Sequence, residues 1–233
     1  MTPSVTVLLA VYNEAGLVEK TVDGIAKEME TLGLPYSVLI ANDGSTDWSE
    51  DLERRLCSNK NVRVKNFHPN EGKGAALSKA FPLLETDLVV FTDADGEYHA
   101  SDIPRVLKPL LDDKADCVIG SRYDFGRKRP GQYLATYLVN RAINLWLFVL
   151  SGRYFHDILC GLYAMRTGLL SDMRLREKRF SYTGEMCWRL LRKNVRWAQV
   201  PVDYTFRTYQ SGKKIKWWET FTLLCAMWKY KFQ

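Results

Sequence analysis

The stretch Asp87-Leu88-Val89-Val90-Phe91-Thr92-Asp93-Ala94-Asp95-Gly96-Glu97 decides how this chain is read. Its first part is an apolar, β-rich run and its second part carries two carboxylates one residue apart. At the end of a strand, side chains two apart point to the same side, so Asp93 and Asp95 can meet one hard cation. Such a cation would most naturally hold a diphosphate. An isolated D-x-D pair is common in solvated turns, so its neighbours must carry the argument.

Working outward, the same arrangement of strand, polar loop and helix recurs. Val5 to Val11 reads as a strand ending at Tyr12-Asn13-Glu14, followed by Leu17, Val18, Val22, Ile25 and Met29 at helical spacing. Tyr36 to Ala41 is a second strand, ending in the turn-forming run Asn42-Asp43-Gly44-Ser45-Thr46-Asp47. The spacing then predicts a helix to Leu56, a strand Val62 to Phe67, a helix Gly72 to Leu84 and the strand Leu88 to Thr92. Further along it predicts helices Ile103 to Leu111, Tyr133 to Leu150 and Phe180 to Lys193, with strands Cys117 to Gly120 and Ala198 to Thr205. Strands alternating with helices predict an α/β fold with a mostly parallel sheet and helices on both faces. Ligands of such sheets bind beyond the carboxyl ends of the strands. The loops at Tyr12, Asn42 and Asp93 would therefore converge on one edge.

The 233 residues suit one sizeable core with an appendage, here 1–212 as the main domain and 213–233 as an amphipathic C-terminal helix. The net charge of +6 comes largely from basic residues after residue 120, which fits an anionic partner. No nucleic-acid reading motif accompanies them, so nucleic acid is not expected. Cys57, Cys117, Cys160, Cys187 and Cys225 are scattered and form no C-x-x-C pair, which predicts free thiols, a cytoplasmic compartment and no zinc site. The N-terminus lacks the features of a signal peptide. Tyr133 to Leu150 is interrupted by Asn140, Arg141 and Asn144, making it a poor transmembrane helix. Gly72-Lys73-Gly74 lacks the Walker spacing, which excludes a P-loop. Lys73 faces either a diphosphate or solvent.

Leu8-Leu9-Ala10-Val11-Tyr12-Asn13-Glu14, Asn42 to Asp47, Gly72 to Ala76, Asp93 to Glu97, Gly120 to Tyr123, Asp157-Ile158-Leu159-Cys160-Gly161 and Val200-Pro201-Val202 stand in a telling order. This order resembles the inverting GT-A glycosyltransferases, above all dolichol-phosphate mannose synthases and related polyprenyl-phosphate sugar transferases. The resemblance covers roughly residues 4 to 215. It implies that Tyr12, Glu14 and Asp43 bind the base and ribose of a GDP- or UDP-linked sugar. It implies that Asp95 is the chief ligand of Mg²⁺ or Mn²⁺, with Asp93 and Glu97 beside it. Arg122 would hold the acceptor lipid phosphate. Arg207 and Lys213, in a basic loop, would close over the donor diphosphate.

Asn42 stands where the resembled enzymes usually carry Asp, and Ala10 where they carry Pro. Thr136 and Asn140 fall where they carry a second acceptor-phosphate arginine and a serine, leaving Arg127, Arg129 or Arg141 to supply that charge. A phosphate acceptor is already substantially dianionic at neutral pH and needs positioning more than a base. A saccharide hydroxyl would need one, and Asp157 or Glu185 would serve. The third possibility is a catalytically silent nucleotide-sugar-binding subunit. His68, His99 and His156 lack metal-ligand spacing.

From Ile215 to Phe232 aromatic residues alternate with apolar ones between Lys213, Lys214, Lys216, Lys229 and Lys231. Rings flanked by lysines suit a headgroup interface. The expectation is a protein peripheral on the cytosolic face of a membrane, attached by this helix or by an anchoring partner subunit.

Overall fold

The computed structural model describes residues 2–123, 134–206 and 217–233. Strands β1 (Val5–Val11), β2 (Tyr36–Asn42), β3 (Val62–Asn66), β4 (Leu88–Asp93), β5 (Cys117–Ser121), β6 (Tyr163–Arg166) and β7 (Trp197–Pro201) form one sheet in the order β3-β2-β1-β4-β6-β5-β7. β6 runs antiparallel to both neighbours and the other pairings are parallel. The helices are α1 (Ala15–Leu32), α2 (Glu50–Leu56), α3 (Lys73–Ala80), α4 (Ile103–Leu111), α5 (Leu134–Ser151), α6 (Tyr182–Arg192) and α7 (Trp217–Lys231).

The central strands are apolar because both of their faces are covered. Val5, Val7, Leu8 and Leu9 of β1 have no exposed surface, nor do Val89 and Val90 of β4. Each such side chain contributes about 2 kcal/mol through burial. α1 adds Val18, Val22, Ile25 and Met29 from one stripe, and its Thr21 hydroxyl turns back to the Leu17 carbonyl (3.0 Å). α2 starts at Ser49, whose hydroxyl accepts from the Leu52 N–H at 3.2 Å.

α1 packs on α2 and α4, while α3, α6, α7 and α5 form a second packed series. α7 buries Leu223, Ala226, Met227 and Tyr230 in the common hydrophobic core. It is thus built into the body of the protein along one side.

Three local differences from the sequence reading have simple causes. The helix expected over Gly72 to Leu84 ends at Ala80 and continues as a 3-10 turn at Phe81–Leu83, where Pro82 removes a helical donor. β7 stops at Pro201, short of the expected Thr205. β6 was not expected, since its four residues give too short a pattern to separate from a loop.

Candidate active site

Register sets the floor of the site. Val11 of β1 lies opposite Asn42 of β2, and Ala10 lies opposite Asp93 of β4, so three parallel strands end level. Side chains stitch the following loops together. Asn13 N–H donates to Ser45 Oγ (3.0 Å), Thr46 N–H to Asn13 Oδ1 (2.8 Å) and Ala15 N–H to Asp47 Oδ2 (3.0 Å). The loops open onto a cavity of about 670 Å³ lined by Tyr12, Glu14, Asp43, Lys73, Asp93, Asp95, Glu97 and Arg122, among others. These expected residues are therefore gathered at one place, with Asp157 bonded to Arg122, whereas Glu185 and Arg141 do not line the cavity.

Tyr12 is 38% exposed, an open ring surface at the cavity's edge. Asp43 is buried and largely committed: its carboxylate accepts from Asn70 Nδ2 (2.8 Å), Glu71 N–H (3.0 Å) and Gly72 N–H (2.7 Å). It thereby fixes the loop that leads into Lys73. Gly72 has φ +103°, and a Cβ there would lie 2.6 Å from the Lys178 carbonyl, so only glycine lets the 175–181 segment approach. That approach brings Arg179 to the cavity wall, which sequence reading missed because Arg174 to Arg179 looks like a solvated basic loop.

Lys73 faces the cavity floor and forms an ion pair with Asp93. Burial pulls its pKa down, but Asp93, Tyr182 and Asp95 outweigh this and hold it above the ordinary lysine value. Asp95 behaves oppositely. Burial, with the charges of Asp93 and Glu97, pushes its carboxyl up to about 7, although Oδ1 accepts the Glu97 N–H at 3.0 Å. Surplus negative charge at this point suits a hard cation bound through one or two carboxylates and a ligand's phosphate oxygens. The three-carboxylate set expected from sequence is not assembled. Glu97 accepts from the Tyr204 hydroxyl, and no group of three His, Cys, Asp or Glu converges among the described residues.

Arg122 follows β5, and its side chain is only 12% exposed. Nε donates to Asp157 Oδ2 (2.7 Å), Nη2 to Oδ1 (2.8 Å), and its backbone N–H to Oδ2 (3.0 Å). Its guanidinium lies over the rings of Tyr204 (5.2 Å) and Tyr123 (5.8 Å). Burial opposes its charge, yet Asp157 and Tyr98 hold its pKa well above the usual value.

Both carboxylates expected as candidate bases are fully buried. Asp157 is occupied by Arg122. Glu185 accepts from the Arg176 and Glu177 N–H groups (both 2.8 Å) and from Arg189 Nε (2.9 Å).

The loop from Asp157 to Gly161 lies against Tyr98 and Asp93. Gly161 N–H donates to Tyr98 Oη at 2.5 Å, and a Cβ on Gly161 would fall 2.7 Å from Asp93 Oδ2. Ala135, Val139 and Ile143 of α5 and Leu223 of α7 add an apolar part to the cavity wall, beside Glu219 and Thr220 of α7. Thr136 and Asn140 also line it, whereas Arg141 does not and donates to the Tyr154 hydroxyl at 2.5 Å. Arg127, Arg129, Arg207 and Lys213 lie outside the described residues.

The chain is similar to several known glycosyltransferases. The chain is 30% identical over 203 residues to the glycosyltransferase AglJ of Haloferax volcanii, a match covering 86% of this chain and 63% of that protein. It therefore spans less than two thirds of that relative's length. It is 24% identical over 226 residues to the UDP-N-acetylglucosamine–dolichyl-phosphate N-acetylglucosaminyltransferase of Methanococcus voltae, covering 88% of this chain and 87% of the relative. With the undecaprenyl-phosphate mannosyltransferase of Micrococcus luteus it shares 28% identity over 183 residues, or 76% and 74% of the two chains.

Glucosyl-3-phosphoglycerate synthase from Mycobacterium tuberculosis superposes with a TM-score of 0.74 at 22% identity, over 99% of this chain and 80% of that one. The same synthase solved with Mn²⁺, UDP-glucose and phosphoglyceric acid gives a TM-score of 0.72 at 21% identity, again over 99% and 80%. At such identities the likeness speaks for the GT-A fold. Residues 6–170, most of the chain, match the model of Glycosyl transferase family 2. The chain belongs to that family.

Proposed function

We propose that this protein transfers a sugar from a nucleoside diphosphate sugar to a polyprenyl or dolichyl phosphate, with inversion, at the cytosolic face of a membrane. One observation carries the choice of acceptor. Arg122 lines a cavity whose wall combines acidic and basic groups with the apolar side chains of α5 and α7, while the two candidate bases for a hydroxyl acceptor, Asp157 and Glu185, are buried and occupied. A lipid phosphate matches both kinds of wall and needs no base. The relatives named for dolichyl-phosphate and undecaprenyl-phosphate transfer support the same reading.

In this mechanism an acceptor phosphate oxygen attacks the anomeric carbon as the bond from that carbon to the donor's β-phosphate oxygen breaks, and the nucleoside diphosphate departs. Asp157 occupies Nε and one Nη2 hydrogen of Arg122, which fixes the guanidinium plane and leaves its Nη1 edge for the acceptor phosphate. Asp157 is thus a positioning residue. Tyr12 offers a stacking face to the base, Glu14 accepts from donor hydroxyls, and Asp43 holds the Asn70–Gly72 loop beneath them.

Lys73 is poised to turn from Asp93 to the diphosphate, and Arg207 and Lys213 belong to the same anion-binding role. Asp95, with Asp93, would hold Mg²⁺ or Mn²⁺, which when bound supplies Lewis-acid stabilisation of the leaving diphosphate.

Transfer of radiolabelled sugar from GDP- and UDP-sugars to dolichyl or undecaprenyl phosphate tests this, with free saccharides as the competing acceptors. Label should enter the lipid phase with the wild type and not with Asp95→Ala. Donor binding with label reaching only saccharides would overturn the phosphate-acceptor reading.

A further inference from the structure

A second cavity, of about 270 Å³, lies at the far ends of α5 and α6, away from the sugar-transfer site. It is lined by Ser151, Arg153, Trp188, Leu191, Arg192 and Asn194, without an acidic group. Arg153 Nη1 donates to the Val195 carbonyl (3.4 Å) and Arg192 Nη2 donates to the Tyr230 carbonyl. Neither guanidinium forms a salt bridge with a carboxylate among the described residues, unlike Arg55, Arg122, Arg166, Arg189 and Arg196. Trp188, 7% exposed, forms part of the cavity wall. Two cations bound only to carbonyl oxygens, without a carboxylate, around one hollow are the makings of an anion site.

Its surroundings indicate which anion. The exposed residues of α5 are Leu134, Ala135, Leu138, Val139, Ala142, Leu145, Phe148 and Val149, with no charge among them. Ser151, which lines the cavity, is the last residue of this helix, so Phe148 and Val149 lie in the adjoining turn. On the other flank, Arg192 is tied to Tyr230 of α7, between the exposed Trp228 and Phe232. Trp146 and Trp228 stack at 6.0 Å, which holds the two helices side by side. A phosphate bound by Arg153 and Arg192 would therefore be flanked by apolar surface on both sides. Inorganic phosphate gains nothing from such flanks, whereas a phospholipid places acyl chains there.

We propose that the Arg153–Arg192 cavity binds the headgroup phosphate of an anionic phospholipid, with the outer face of α5 and the end of α7 lying in the bilayer surface. The inference rests on the membrane reading above and deepens it. α5 and α7 each run from the sugar-transfer cavity to this one. A lipid phosphate at each end would set the tilt of the helix pair and hold the acceptor entrance at headgroup level.

Co-sedimentation with vesicles of phosphatidylcholine alone, or with phosphatidylglycerol added, tests it. Replacing both cations in R153Q/R192Q should weaken binding to the anionic vesicles roughly thirty-fold, with binding to neutral vesicles and to the donor nucleotide unchanged. R153K/R192K should retain most of the affinity. Arg153→Gln alone, which spares the tie to Tyr230, should cost roughly fivefold and settles the matter if the double variant folds poorly. Equal binding of wild type and R153Q on anionic vesicles would overturn the headgroup site while leaving membrane docking intact. Wild-type protein that ignores both vesicle types would overturn the docking itself, and this inference with it.

Discussion

Helices α1 and α5 each have 18 residues and are built in opposite senses. α1 buries Val18, Val22, Ile25 and Met29 and shows water Lys20, Asp23, Lys27 and Glu30. α5 buries Asn140 and Asn144 beside Ile143, Leu147 and Leu150, and turns an unbroken apolar face outward. The buried asparagines are fully employed. Asn144 receives the Ile158 N–H (2.9 Å) and donates to the His156 (3.0 Å) and Asn140 (2.9 Å) carbonyls, and Asn140 donates to the Tyr123 hydroxyl. Through these bonds α5 holds the strands of chain that carry Arg122 and Asp157. Polar residues in this helix thus serve the site, and the apolar ones wait for something other than water.

The contrast can be broken most severely from the α1 side. Ile25→Glu places a charge in the core and should cost about 4 kcal/mol or more, seen as loss of the cooperative thermal transition. If it were tolerated, α1 would not be the ordinary water-facing helix described. Asn144→Ala strips the loop from His156 to Ile158 of its partners and should cost about 2 kcal/mol. Because that loop carries Asp157, sugar transfer should fall by more than the loss of folded protein explains.

A third test concerns half-buried Asp95, which has one backbone N–H donor and acidic neighbours. The Asp95 carboxyl is raised to about 7 in the folded protein, above its unfolded value of 3.8. Its ionised form is disfavoured in the fold, so the metal-free protein should lose stability as pH rises from about 4 to about 7 on this group's account. Asp95→Asn should flatten that slope, raise the melting temperature of the metal-free protein by a few degrees above pH 7, and abolish transfer. A parallel shift at all pH values would show that the carboxyl is not the cause. Smallest in stability is Leu145→Glu on the outer face of α5, expected within about 0.5 kcal/mol of wild type. Binding to vesicles should nonetheless fall sharply, and an unchanged affinity would return α5 to the class of plain surface helices.

The periodicity of α5 marked a helix but not its orientation, because Asn140 and Asn144 are spaced like residues of a solvated face. Only the partners supplied by Ile158, His156 and Tyr123, distant in sequence, show that this face points inward. The ends of β1, β2 and β4 were legible because each apolar run stops at a loop of turn-forming and acidic residues. Their level register follows from parallel pairing. Asp43 was legible as a site residue, but its carboxylate serves backbone N–H groups at Glu71 and Gly72, a pairing across the chain that no local pattern encodes. Asp157 likewise stood out as a carboxylate, while Arg122, 35 residues away, is brought to it by the fold; Arg189, by contrast, lies one turn from Glu185 on α6.

At Gly161 the absent side chain leaves 2.7 Å between a Cβ and Asp93 Oδ2, less than a methyl group can accept. The loop that carries Asp157 and the strand end that carries Asp93 are therefore separated by a single hydrogen's thickness. A side chain at this position would have to push the Asp93 carboxylate aside. Gly161 therefore couples the Asp157 loop to the orientation of the Asp93 carboxylate, so a substitution at the one is felt at the other.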